Sequence, residues 1–235
     1  MKNWKIQAVM IGIFLVISGI AIFFWMSPGR KASKISRFQK QADRAISSGH
    51  FLDAEISLRK ALDIDPENPE LWLALGAVLE RQGVLDQAKL AYQAAAKANT
   101  SSEPGFKAGM VSLKLNEPED AERFFLENSQ NWPEHTPTLY QLGAIMAKKG
   151  KYQEAIKYFE KITTVDPKEA EAFNNLGFCY YSQDQLEKAR DMFKKALEIN
   201  PGLDSAKRSL QTVEADLSGK PQDGATAKTC KECNK

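Results

Sequence analysis

A 34-residue period constrains this chain more than any other feature of its sequence. Trp72, Leu75, Gly76 and Leu79 are followed by Gly83, Ala88 and Tyr92. Leu139, Leu142, Gly143 and Met146 are followed by Gly150, Ala155, Phe159 and Pro167. Phe173, Leu176, Gly177 and Tyr180 are followed by Ala189, Phe193, Ala196 and Pro201. Gly143 to Gly177 is 34 residues, and so is Pro167 to Pro201. Two weaker series fit the same frame. One holds Gly109, Ala121, Phe125 and Pro133; the other holds Phe38, Ala42, Ala45, Gly49, Ala54, Leu58, Ala61 and Pro66. A repeat this short cannot bury its apolar face alone, so copies must stack to make a core.

The residue pattern resembles the tetratricopeptide repeat family, whose signature is W-x2-L-G-x2-Y, then A-x3-F, then P. The resemblance implies an all-α fold of paired antiparallel helices wound into a right-handed superhelix. Five units are predicted, at 35–68, 69–101, 102–135, 136–169 and 170–203, with a capping helix over 204–217. Small residues such as Gly76, Gly109, Gly143 and Gly177 let helices approach, and large ones such as Tyr92, Phe125, Phe159 and Phe193 fill the space between. Pro66, Pro133, Pro167 and Pro201 mark the turn from one unit to the next. One junction is irregular: Asn99-Thr100-Ser101-Ser102 stands where a proline is expected, and Pro104-Gly105 follows.

Ahead of the repeats, residues 6–26 read IQAVMIGIFLVISGIAIFFWM, without a charge. As a helix this run spans roughly 31 Å, the thickness of a bilayer core of about 30 Å. Trp4 and Trp25 flank it, where amphipathic rings favour the interface. A cleaved signal peptide has a shorter apolar run and an A-x-A-like site, neither of which is present. Residues 1–29 are therefore expected to be a tail and transmembrane anchor, stopped at Ser27-Pro28-Gly29. Residues 30–34 are expected to be a basic linker.

Arg30, Lys31, Lys34, Arg37, Lys40 and Arg44 follow the span, against Lys2 and Lys5 before it. The positive-inside rule thus favours a cytoplasmic repeat domain, and basic residues there would face anionic lipid. Lys2 and Lys5 on a short tail argue for the opposite, periplasmic placement.

Composition narrows the chemistry. The net charge is +2 over 235 residues, which gives no reason to expect a nucleic-acid ligand. There are two His, His50 and His135, and three Cys, too few for a His-based metal centre or a disulfide framework. No phosphate loop, dinucleotide fingerprint, zinc-protease motif or nucleophile elbow occurs. The expectation is a protein with no catalytic residues and no cofactor. Cys230 and Cys233 form a C-x-x-C near the C-terminus, within a tail over 218–235 expected to be disordered. One pair supplies two ligands where zinc needs four, and Asn234 stands where haem attachment needs His. The two thiols are expected to be incidental to such a tail; the alternatives are a weak metal site shared with a partner and a redox dithiol.

The resemblance also implies a ligand surface. In this family the first helix of each unit lines a concave face. Carried over by position, that face takes Leu73, Ala77 and Arg81; Phe106, Met110 and Lys114; Tyr140, Ala144 and Lys148; and Asn174, Phe178 and Tyr181. Of the Lys, Arg and Asn that clamp a carboxylate in chaperone-binding members, only Asn174 is matched. An apolar and aromatic surface edged by Arg81, Lys114 and Lys148 suits an amphipathic helix or extended apolar peptide with some acidic residues. The expected function is a membrane-anchored scaffold that recruits a protein partner, compatible with homo-oligomerisation. The resemblance extends to bacterial inner-membrane repeat proteins that assemble envelope complexes, including chaperones of c-type cytochrome apoproteins. The alternative is a redox or metal-handling protein acting through Cys230 and Cys233.

Overall fold

The structure is a computed structural model that describes residues 28–219. The expected membrane span at 6–26 and the C-x-x-C tail lie outside the described residues. Among the described residues no helix is long and apolar enough to cross a membrane.

The described residues form eleven helices and no strand. The chain divides into two compact units, Met1–Ala98 and Asn99–Lys235. The division falls at the junction where Asn99-Thr100-Ser101-Ser102 replaces the proline, and Asn99 has a left-handed φ of 49°.

The first unit contains α1 (Pro28–Ser47), α2 (Phe51–Leu62), α3 (Pro69–Gln82) and α4 (Leu85–Ala96). Helix α1 packs on α2, α2 on α3, and α3 on α4. Helix α1 takes in residues 30–34, where the sequence reading expected a linker. Pro28 starts a helix rather than stopping one, because proline at the first helical position sacrifices no hydrogen bond. Lys and Arg are good helix formers, so nothing interrupts the turns that follow. At the start of α3 the Asn68 side chain accepts from the Glu70 and Leu71 N–H groups at 3.1 and 3.2 Å. Pro69 supplies the first helical residue.

The second unit contains α5 (Glu103–Lys114), α6 (Pro118–Asn131), α7 (Thr136–Lys148), α8 (Tyr152–Val165), α9 (Ala170–Tyr181), α10 (Leu186–Ile199) and α11 (Asp204–Leu217). Each helix packs on the next from α6 to α11, and α5 packs on α6. Helix α11 also reaches α9. Its Val213 is buried with Ala189 and Phe193, and Leu210 and Leu217 pack beside them. The Tyr181 hydroxyl donates to Asp216 Oδ2 at 2.8 Å, which ties α11 to the end of α9. Polar residues cover its outer side, as the last element of a stack requires.

One contact recurs in both units. Gly76 faces Tyr92, Gly109 faces Phe125, Gly143 faces Phe159 and Gly177 faces Phe193. A Cβ on any of these glycines would lie 2.4–2.7 Å from a ring carbon, closer than side chains pack. The helices of these pairs can therefore touch only where one of them has no side chain. In the α1–α2 pair the equivalent positions are Ala42 and Leu58, both buried. The methyl group is larger there and the partner is smaller and more flexible.

A second recurrence closes the first helix of each pair. Gly49, Gly83, Asn116, Gly150 and Asp184 occupy the same place in the repeat, and all have φ between 59° and 79°. After each, the next residue's N–H reaches back five residues: Val84 to Leu79 at 2.9 Å, Glu117 to Ser112 at 2.9 Å, Gln185 to Tyr180 at 2.9 Å. This left-handed terminator satisfies carbonyls that the helix end would otherwise leave open.

Candidate functional site

The expected ligand-facing residues divide between the two units. Leu73, Ala77 and Arg81 lie on α3 in the first unit. Leu73 is half-buried, whereas Ala77 and Arg81 are exposed. The Arg81 guanidinium lies 6.0 Å from the centre of the Phe51 ring.

The other nine lie in the second unit, on α5, α7 and α9. Phe106, Met110, Tyr140, Ala144, Asn174, Phe178 and Tyr181 are half-buried, and Lys114 and Lys148 are exposed. Half-burial has a specific cause for each aromatic. Phe106 meets the Phe125 ring at 5.9 Å and stands edge-on to His135 at 5.4 Å. Tyr140 is edge-on to Phe159 at 5.9 Å, and Phe178 is edge-on to Tyr152 at 6.2 Å. Met110 packs against the cluster of Ala121, Phe125 and Leu142. These side chains therefore serve the core with one edge and keep the other accessible. Tyr181 differs, because its hydroxyl is committed to Asp216.

Asn174 is the polar member of the set. Its Oδ1 is buried and has no hydrogen-bond partner among the described residues. A buried amide oxygen left unmatched costs about 1–3 kcal/mol, so this atom can accept from a donor that the described residues do not supply. Tyr140, Asn174 and Phe178 all sit on the first helices of neighbouring pairs.

Beside Phe106 lies a polar network that the sequence reading did not anticipate. Asn128 Nδ2 donates to Thr138 Oγ1 at 2.7 Å, and Thr138 Oγ1 lies 2.7 Å from His135 Nδ1. Asn128 and Thr138 are buried. Gly105 makes room, since a Cβ there would lie 2.7 Å from Asn128 Oδ1. Trp72, Leu139 and Phe173 occupy the equivalent place elsewhere, so in this repeat a buried amide takes the volume of a large apolar side chain. The one available signal was Gly105 standing where a bulky residue belongs. Partial burial pushes the His135 pKa below its ordinary value.

No cluster of three or more His, Cys, Asp or Glu among the described residues could hold a metal ion. Cys179 is buried on α9, and burial pushes its thiol up to about 12, so it is a packing residue rather than a nucleophile. The acidic residues at helix starts, such as Glu119 and Asp120 on α6, sit in the first turn, where the helix dipole favours them. What the surface offers is aromatic edges, aliphatic side chains, one unmatched amide and lysines at the rim. That is the chemistry of binding.

Comparison with known proteins gives the same architecture. Two family models, both described as tetratricopeptide repeat, match residues 45–109 and 135–201. Among solved structures the chain is similar to YrrB, described as a TPR protein with an unusual peptide-binding site. The identity is 26% and the TM-score 0.62, over 74% of this chain and 90% of that one. It is also similar to MamA, with 25% identity and a TM-score of 0.60 over 68% of this chain and 94% of that one. Among curated proteins, the CTR9 homolog of Arabidopsis thaliana is 30% identical over 155 residues. Those residues cover 63% of this chain and 14% of the relative, so the chain spans only a small part of that protein's length. The chain belongs to the tetratricopeptide repeat family.

Proposed function

We propose that the chain is a membrane-anchored scaffold whose repeats recruit a protein partner through the first helices of their pairs. The tetratricopeptide fold is one that binds proteins, and the choice of face is our reading. The observation that carries it is the coincidence on α7 and α9 of half-buried aromatic edges with the unmatched Asn174 Oδ1. An amphipathic helix or an extended apolar peptide would cover Phe106, Tyr140 and Phe178, while its backbone or side-chain N–H would meet Asn174. Acidic residues on that segment would meet Lys114 and Lys148 at the rim. The peptide-binding site named for YrrB supports the reading by analogy of fold.

The anchor reading rests on the uncharged run at 6–26. Its function is tethering: confinement to the membrane raises the effective concentration of the partner at that surface. The excess of Lys and Arg after the run favours the cytoplasmic side, and a role in assembling a membrane-associated complex follows from both.

The test is site-directed photo-crosslinking in cells of the source organism. A photoreactive residue at Tyr140 is expected to capture a discrete protein. One at Leu90, exposed on a second helix, is expected not to capture it. Capture must also be lost when Phe106 and Phe178 are replaced by Ser. Equal capture from both positions, or capture that survives these replacements, sinks the assignment of this face.

A further inference from the structure

Helix α1 differs from the other described helices in its charge. It carries Arg30, Lys31, Lys34, Arg37, Lys40 and Arg44, and Asp43 is its only acid. All six cations are exposed. At about 100° per residue, Arg30, Lys34, Arg37, Lys40 and Arg44 fall within one arc of roughly 120°. Ser33 and Gln41, both exposed, lie in the same arc. The opposite side carries Ile35, Phe38, Ala42 and Ile46, which are half-buried or buried and form the seam that packs on α2. One side of this helix is thus committed to the fold, and the other is a continuous cationic strip with no acid in it.

We propose that this strip lies along an anionic phospholipid surface and holds the first unit against the membrane. The proposal rests on the anchor reading above, because α1 begins at Pro28, two residues after the apolar run ends. Distance decides the orientation. From Pro28 to Arg44 a helix advances about 24 Å. Were α1 to stand upright on the bilayer, Arg44 would lie some three Debye lengths of about 8 Å from the headgroups, and its charge would be screened. Lying flat, all five cations reach the headgroup layer together. Five side chains acting at once make attachment steep in lipid charge and in salt. The lipid headgroup is favoured over a nucleic acid because the strip starts where the expected span leaves the bilayer.

The experiment uses the full chain with Cys230 and Cys233 replaced by Ser and Ser33→Cys carrying an environment-sensitive fluorophore. Cys179 is buried and stays unlabelled. The chain is floated with vesicles of phosphatidylcholine, alone or with about one third phosphatidylglycerol, each doped with a spin-labelled quencher lipid. The expected result is flotation with both, and quenching about threefold stronger with phosphatidylglycerol that disappears near 0.5 M salt. Replacing Arg30, Lys34, Arg37, Lys40 and Arg44 by Gln is expected to abolish the extra quenching without removing flotation. Flotation with both compositions but equal quenching overturns the strip and leaves the anchor standing. Flotation only with phosphatidylglycerol supports the strip and overturns the anchor. Flotation with neither overturns both. Retention on a duplex oligonucleotide without lipid-dependent quenching assigns the strip to nucleic acid and overturns the proposal.

Discussion

The ring of Phe125 occupies the space that a side chain at Gly109 would need. A Cβ on Gly109 would lie 2.4 Å from Phe125 Cε1 and 2.7 Å from Cδ1, and Phe125 is fully buried. The rigid ring has no free end to swing aside, and the core around it is closed. This pair and its three counterparts set how near the helices of those four pairs can come.

Gly109→Ala separates two opposing effects. Alanine improves helix propensity by about 1 kcal/mol. Overpacking against an immobile ring costs about 1–3 kcal/mol and more where nothing can yield. The clash is expected to win, with a net loss of about 2 kcal/mol in chemical denaturation. The double variant Gly109→Ala, Phe125→Leu copies the Ala42 and Leu58 pairing of the α1–α2 hairpin. It is expected to be more stable than the sum of the two single effects by at least about 1 kcal/mol. Strict additivity would show that the ring contact does not set the spacing.

The terminators supply a prediction of opposite sign. Asp184 holds a left-handed φ of 59° where Gly49, Gly83 and Gly150 stand in other repeats. A residue with a Cβ pays about 1–2 kcal/mol in that conformation, with Asp and Asn at the lower end. Asp184→Gly is expected to stabilise the second unit by about 0.5–1 kcal/mol, seen as a higher denaturation midpoint. Gly83→Ala is expected to destabilise the first unit by about 1 kcal/mol. A loss of stability in Asp184→Gly would mean that the Asp side chain makes a contact worth more than the strain.

The contrast between these two features explains what the sequence could reveal. Gly109 and Phe125 were legible as a repeat signature because their chemistry is extreme: the smallest side chain and a large ring recur at fixed spacing. The helical architecture followed from such pairs. Asn116 and Asp184 are not legible as terminators, because residue type alone does not mark the polar residues that tolerate the same φ. Pro28 reads as a stop in the sequence yet stands at the start of α1, since proline opens helices as readily as it ends them. The network of Asn128, Thr138 and His135 was hidden for another reason. Asn128 and Thr138 are polar residues in places where other repeats carry residues such as Ala95, Ile162, Leu71 and Ala172, and only the three-dimensional packing shows that they and His135 satisfy one another. Among the residues expected to face a ligand, the sequence supplied types and positions. It could not supply the half-burial of the aromatics or the lack of a partner for Asn174 Oδ1 among the described residues.

The His135 network gives a pH dependence. Burial lowers the pKa of His135 in the folded state below the ordinary value of 6.5. The unfolded chain therefore binds a proton more readily than the folded one, and acid favours unfolding. The contribution of neutral His135 is complete above the unfolded value and is lost as pH falls below it through the folded value. Protonation also leaves Nδ1 as a donor facing Thr138 Oγ1, which already accepts from Asn128. The thermal midpoint is expected to fall between pH 7 and pH 5, and to fall less in His135→Asn. An identical pH profile in that variant would assign the acid sensitivity to carboxylates instead.

Asn174 separates binding from folding. Its Oδ1 lacks a partner among the described residues, so removing it forfeits no hydrogen bond that this atom makes with them. Asn174→Ala is expected to change stability by less than about 1 kcal/mol, because relief of an unmatched buried acceptor offsets the lost packing. The same variant should weaken the captured partner by about tenfold or more, since a matched hydrogen bond in a desolvated interface contributes about 1.5 kcal/mol. Titration calorimetry against the crosslinked partner reads the second quantity and denaturation reads the first. Tyr140→Ala is the comparison, because Tyr140 supports Phe159 as well as facing outward, and it should lose both stability and affinity. A loss of stability without a loss of affinity in Asn174→Ala would make this amide part of the core and remove it from the binding face.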